Sequence, residues 1–212
     1  MVAMAPSWAQ SPPSQPPSAA EVTLLFGAIE RGDTAVIKAL AKNGVPLRAL
    51  NDDGEPPLFA AAEKGQIEAL RELIRLGCDP RARTPNGETA MHAAAMQSEP
   101  VFAVALLDAG AEPNVLNLDG ETPLAWAAMT GNLKTVQMLI ERGAIVRSVD
   151  VRGNTPLHGA AAMGHPGVVT LLLRHKADPA KMNLEGKTPA DLARERDETE
   201  TLDRLEAAPG RR

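Results

Sequence analysis

The sequence predicts an all-α solenoid, built from stacked helix-turn-helix pairs with β-hairpin finger loops between them. Three observations predict it. Gly54, Gly87, Gly120, Gly153 and Gly186 stand 33 residues apart, and a fixed period of that length marks a stack of supersecondary units. A similar phrase follows each glycine: Glu55-Pro56-Pro57-Leu58-Phe59, Glu88-Thr89-Ala90-Met91-His92, Glu121-Thr122-Pro123-Leu124-Ala125, Asn154-Thr155-Pro156-Leu157-His158 and Lys187-Thr188-Pro189-Ala190-Asp191. Hydrophobic residues make up 44% of the chain and aromatics only 2%. The core must therefore come from small aliphatic side chains, such as the pairs Ala61-Ala62, Ala94-Ala95, Ala127-Ala128 and Ala160-Ala161, which let helices approach closely.

From the N-terminus, residues 1–20 are rich in Pro, Ser, Gln and Ala and carry no charge. Such a segment cannot bury a core and is expected to be an extended linker. Ser7-Trp8-Ala9 before Gln10 has the small-x-small form of a signal-peptidase site, although the apolar stretch ahead of it is short and holds no Lys or Arg. Two expectations stay open. One is the remnant of a bacterial export signal, which would place the chain in the periplasm; the other is a cytoplasmic tail. Residues 21–50 lack the Thr-Pro phrase but keep Leu25, Phe26, Ala28, Gly32, Val36, Leu40 and Gly44 in register. They are the expected N-terminal cap, since terminal units must expose one face.

Four full units follow, 51–83, 84–116, 117–149 and 150–182. Asp53-Gly54, Asn86-Gly87 and Asp119-Gly120 make tight turns of the kind that head a hairpin finger. Thr122-Pro123, Thr155-Pro156 and Thr188-Pro189 start the first helix of a pair. The threonine hydroxyl suits an N-cap, and proline at the first helical position loses no hydrogen bond. Gly65, Gly131 and Gly164 end that helix, with Ser98 and Asp197 in the same register. A second helix is expected over Ile67–Leu76, Pro100–Ala109, Leu133–Arg142 and Pro166–His175. Gly44, Gly77, Gly110 and Gly143 suit a left-handed helix end; Lys176 replaces the glycine in the fifth unit, at a cost of about 1 kcal/mol if it turns left-handed. Residues 183–206 form the C-terminal cap, and 207–212 a tail.

These phrases resemble the ankyrin repeat. The best match is Gly153-Asn154-Thr155-Pro156-Leu157-His158-Gly159-Ala160-Ala161, continuing through Gly164-His165, Val168-Val169 and Leu171-Leu172-Leu173 to Ala177-Asp178-Pro179. The resemblance covers residues 21 to about 206, with six units including the caps. It implies a non-catalytic, monomeric scaffold that binds another protein on its concave surface. The contact positions it implies are the finger tips Asp52, Asp53 and Glu55; Asn86 and Glu88; Leu118, Asp119 and Glu121; Val151, Arg152 and Asn154. It also implies the inner-helix ends Glu63 and Lys64; Met96 and Gln97; Met129 and Thr130; Ala162 and Met163. Met96, Leu118, Trp126, Met129, Val151 and Met163 form an apolar centre on this map, because Met adapts to many surfaces and Trp is a frequent binding hot spot. Trp126 stands where other units carry Ala60, Ala93 and Gly159, so filling space in the stack is the competing account of it. Acidic residues gather on the first half and favour a partner with a basic edge.

Other functions find little support. Twenty-two Lys and Arg against 27 Asp and Glu give a net charge of -5, which disfavours binding to a nucleic-acid backbone. No apolar run reaches the roughly 20 residues that span a bilayer. His92 and His158 share one register two units apart, roughly 20 Å at the 8–10 Å spacing of packed helices, too far to share a metal. Each is expected to bond a neighbouring finger or the Thr of its own phrase. Cys78 takes the register of Ala111, Ala144 and Ala177, which suits a packed small residue. No metal, cofactor or catalytic set is expected. An alternative of another class is a ligand- or peptide-binding accessory protein that assists an envelope stress-defence enzyme.

Overall fold

A computed structural model describes residues 17–207. The export-signal reading of residues 1–9, most of the expected linker and nearly all of the C-terminal tail lie outside the described residues. The described residues form six helix pairs: α1 Ala19–Glu30 and α2 Thr34–Lys42; α3 Pro57–Glu63 and α4 Ile67–Arg75; α5 Ala90–Met96 and α6 Val101–Asp108; α7 Pro123–Met129 and α8 Leu133–Glu141; α9 Pro156–Ala162 and α10 Pro166–Arg174; α11 Pro189–Glu195 and α12 Thr199–Glu206. Odd-numbered helices pack in sequence to form an inner layer, and even-numbered helices form the outer one. In the outer layer α6 and α8 are the least closely packed neighbours. Among the described residues no helix is long and apolar enough to cross a membrane.

The core lies between the layers and runs the length of the stack. Leu25, Leu58, Met91, Leu124 and Leu157 fill one register of it and are at most 2% exposed. Ala61, Ala94, Ala127, Ala160 and Ala193 fill another, fully buried. Burying alanine costs no side-chain entropy, and the small side chain brings successive inner helices together.

Helix starts follow the expected chemistry in part. The hydroxyls of Thr122 and Thr188 accept the amides of Ala125 and Asp191 at 3.2 and 3.3 Å. At Thr89 and Thr155 the capping box has an imidazole as its third-position member: the Nδ1 atoms of His92 and His158 accept the threonine amides, both at 3.1 Å. Pro56 supplies no side-chain cap to α3. At the N-terminus α1 begins at Ala19, two residues inside the expected linker. Ser18 and Glu21 form a reciprocal capping box there, which satisfies two amides and fixes the helix start.

Helix ends differ by a residue from the expectation. Leu76, Ala109, Arg142 and His175 are C-caps rather than helical residues. The left-handed turn beyond them is present at Gly44, Gly77, Gly110 and Gly143, and Lys176 adopts it with φ 65°. Asp197 also turns left-handed in the inner-helix register, but Ser98 does not. Gln97 leaves α5 with ψ 141°, Pro100 becomes an N-cap, and α6 starts at Val101. That offset accompanies the loose α6–α8 contact, which polar links span instead: Lys134 to Glu99 at 2.7 Å, Arg142 to Asp108 at 3.0 Å.

Candidate functional site

The fingers are built by one repeated device. Their first residues, Asn51, Thr84, Asn117, Asp150 and Asn183, each accept the backbone N–H four residues on, at 2.8–3.2 Å. The glycine at each tip has a φ between 74° and 77° and donates its N–H to the first residue's carbonyl, as Gly54 does to Asn51 at 2.9 Å. This is a tight turn closed by a left-handed glycine. Successive fingers are then joined: Leu118, Val151 and Leu184 donate their amides to the carbonyls of Asn86, Asp119 and Arg152, each at 2.9 Å. Pro85 has no N–H, so the first two fingers lack that bond and touch instead through Gly54 and the Pro85 ring. Regular strand pairing is slight; Arg83 and Thr89 form an isolated bridge.

This construction sorts the sequence-predicted positions. Asp52, Asp53, Asn86, Leu118, Asp119, Val151 and Arg152 are exposed at finger tips. The next acidic position turns inward. Glu55 accepts from Asn51 Nδ2 at 2.8 Å, Glu88 from Thr84 Oγ1 at 2.9 Å and Glu121 from Asn117 Nδ2 at 2.9 Å. Asn154 bonds Asp150 in its own finger and Asn183 in the next. The side chains of Glu55, Glu88, Glu121 and Asn154 thus brace fingers. On the inner helices, Glu63 is paired with Lys64 at 2.8 Å, and its carboxylate raises the Lys64 pKa. Gln97 donates to the carbonyls of Ala62 and Glu63 in the preceding unit. Thr130 bonds back to Trp126 and Ala127. Of the acidic group, Asp52 and Asp53 are left as exposed tip charges.

Trp126 is half-buried and held on two sides. Its indole N–H donates to Glu121 Oε2 at 2.8 Å, and its ring stands edge-on to His92, with centroids 5.3 Å apart. Met96, Met129 and Met163 are 41–49% exposed along the inner-helix ends. Gly159 has no side chain in the register of Trp126 and Leu192, and Met129 leans over it: a Cβ at 159 would stand 2.6 Å from Met129 Cγ. Here the concave face opens into a groove of about 360 Å³ across the fourth, fifth and sixth units. Ala125, Met129, Ala162, Met163 and Leu192 supply apolar lining; Arg152, Lys187, Glu195 and Arg196 supply charge. Lys187 sits between Glu185 and Glu195 at 3.3 and 2.9 Å.

The reactive residue types serve packing. His92 is fully buried, and its Nε2 meets the Glu121 carbonyl of the next finger at 3.2 Å. His158 meets the Lys187 carbonyl at the same distance. Burial lowers both imidazole pKa values, that of His92 to about 4; each ring is neutral at pH 7, with Nδ1 as acceptor and Nε2–H as donor. His165 bonds the Met129 carbonyl at 2.9 Å. Burial pushes the Cys78 thiol up to about 12. Among the described residues, no three His, Cys, Asp or Glu side chains group at metal-binding spacing.

Four exposed apolar residues of the last three fingers escaped the sequence reading: Leu116, Val149, Met182 and Leu184. Comparing one register across units, Leu50-Arg83-Leu116-Val149-Met182, would have revealed three of them.

The model for ankyrin repeats (3 copies) matches residues 25–117 and 101–183. No curated protein matches the chain significantly. Among solved structures, the chain is similar to the ankyrin repeat domain of Bcl-3, described as a unique member of the IkappaB protein family. Identity is 28% over 88% of this chain and 86% of that one, with a TM-score of 0.75. The family match spans most of the described stack, and the likeness to a solved domain extends over nearly all of it; the chain belongs to the ankyrin-repeat family.

Proposed function

We propose that the chain is a non-catalytic scaffold that receives a partner protein on its concave surface. Ankyrin repeats are in general protein-interaction modules, and every regular position in this stack is occupied by a structural task. The observation that carries the reading is the row Met96, Met129 and Met163, three flexible apolar side chains left partly in solvent, of which Met129 and Met163 line the groove. Thioethers of this kind are over-used at adaptable binding surfaces. Asp52 and Asp53 give the first full unit an acidic edge, which suits a basic edge on the partner. Trp126 contributes by shaping the surface, since its polar atom is already committed to Glu121.

The test is affinity for the protein that co-purifies with the full chain from its native host. Met129→Ala with Met163→Ala should weaken that complex at least tenfold and leave the helical circular dichroism unchanged. Asp52→Lys with Asp53→Lys should weaken it less and flatten its salt dependence. Unchanged affinity in the methionine pair rejects the surface. The groove's volume also falls within the range of small-ligand sites, which supports the accessory-protein alternative; a thermal shift with a metabolite but with no protein partner would favour it.

A further inference from the structure

The last three fingers share an apolar band. Leu116 and Leu118, Val149 and Val151, and Met182 and Leu184 are exposed by 48% to 80%. In each pair the residue between, Asn117, Asp150 or Asn183, is at least half-buried and braces its finger, which leaves the two apolar side chains flanking it to solvent. The same two registers hold Leu50 and Asp52, then Arg83 and Pro85, in the first two fingers. Six such neighbours expose on the order of several hundred Å² of apolar surface, the scale of an interaction site rather than of scattered surface residues. Beside them the tip charges alternate: Asp119, Arg152 and Glu185. Among the described residues Asp119 and Arg152 take part in no ion pair.

We propose that this band receives one amphipathic α-helix of a partner protein, lying along the stack, apolar at every seventh residue and flanked by charges in the order basic, acidic, basic. This rests on the protein-binding reading and names the chemistry of the partner. Three considerations select a helix. Fingers follow the helices that carry them, at about 8–10 Å per unit, and seven helical residues rise about 10.5 Å. One heptad therefore brings one side chain to each finger. An extended strand covers the same distance in about three residues, an odd number, and would turn opposite faces to successive fingers. A second copy of this chain, paired about a two-fold axis so that all three fingers overlap, would set Arg152 on Arg152 and Asp119 on Glu185. The basic-acidic-basic order reads the same from either end, so either helix direction satisfies it.

The probe is a synthetic three-heptad helical peptide with one Leu per heptad and Lys, Glu, Lys beside them, labelled for fluorescence anisotropy against the full chain. The control peptide carries Glu, Lys, Glu. The first peptide should bind about tenfold tighter at low salt, as expected from three exposed pairs changing from attraction to repulsion. The triple variant Asp119→Lys, Arg152→Glu, Glu185→Lys should reverse the preference, and Val151→Ser with Leu184→Ser should remove binding with the fold intact by circular dichroism. Equal binding of both peptides, no binding of either, or a dimer by light scattering that the serine pair abolishes would overturn the helix. If a native partner depends on Met129 but ignores every finger variant, the helix proposal falls and the protein-binding reading stands. If neither set of substitutions affects any partner, both fall.

Discussion

Acid should loosen this stack through His92. The ring is fully buried, accepts the Thr89 amide at 3.1 Å and faces the Glu121 carbonyl at 3.2 Å. Protonation would abolish the acceptor at Nδ1 and strand a charge in the core. The folded pKa is about 4 against an ordinary 6.5, so between these values the unfolded chain binds more protons than the folded one, and stability falls as pH falls. The full contribution is present above pH 6.5 and lost on passing pH 4. A shift of that size corresponds to roughly 3 kcal/mol. His158 shifts in the same direction and adds to the loss. The sharp comparison is His92→Gln. Glutamine at the third helical position can accept the N-cap amide and offers an N–H to the finger, but it does not titrate. The variant should lose about 1 kcal/mol at pH 7, where the edge-on contact with Trp126 disappears. From pH 7 to pH 4 it should then fall less steeply than wild type in urea melts followed at 222 nm. Glu72 and Asp191, whose pKa values hydrogen bonds from Arg75 and Thr188 hold low, are common to both proteins and cancel in the comparison. Parallel slopes for the two proteins would refute the reasoning.

Three further outcomes are expected. Lys176→Gly should stabilise the protein by about 1 kcal/mol, and Gly143→Lys, at φ 90° in the same register, should destabilise it by a similar amount; thermal midpoints moving by about 2–4 °C in opposite directions would show it. Cys78 should resist iodoacetamide at pH 8 in the native protein and react once unfolded, since its thiol is buried with a pKa near 12; mass spectrometry of a time course reads this directly. Trp126→Phe should cost about 1–2 kcal/mol, because Glu121 loses the indole donor at 2.8 Å, and equilibrium unfolding measures it.

The architecture was legible because each recurring residue answers a local demand. Thr122-Pro123 can start a helix in any setting, and a left-handed helix end so constrains the backbone that Lys176 keeps the geometry of the glycines it replaces. What stayed hidden depends on choices between competing partners. Glu55, Glu88 and Glu121 look like surface acids in a list of letters; only the first residue of each finger, an oxygen-bearing side chain closing the turn, makes them internal braces. Ser98 has neither the freedom of Gly nor the left-handed backbone that Asp197 adopts at φ 58°, and α6 starts late. The start of α1 was masked by composition: the capping pair Ser18 and Glu21 lies at the margin of a Pro- and Ser-rich tract.

The imidazole links do not occur at every joint. His92 ties the third unit to the fourth, His165 the fifth to the fourth and His158 the fifth to the sixth, whereas among the described residues no imidazole spans the first two joints. The stack thus has a half latched at every joint, from the third unit to the sixth, and an N-terminal part without such latches. Ala125 and Met129 are walls of the groove, so the groove lies over the joint that His165 closes. Bending there would break that link, so a partner must fit the cleft at the width its latched walls set.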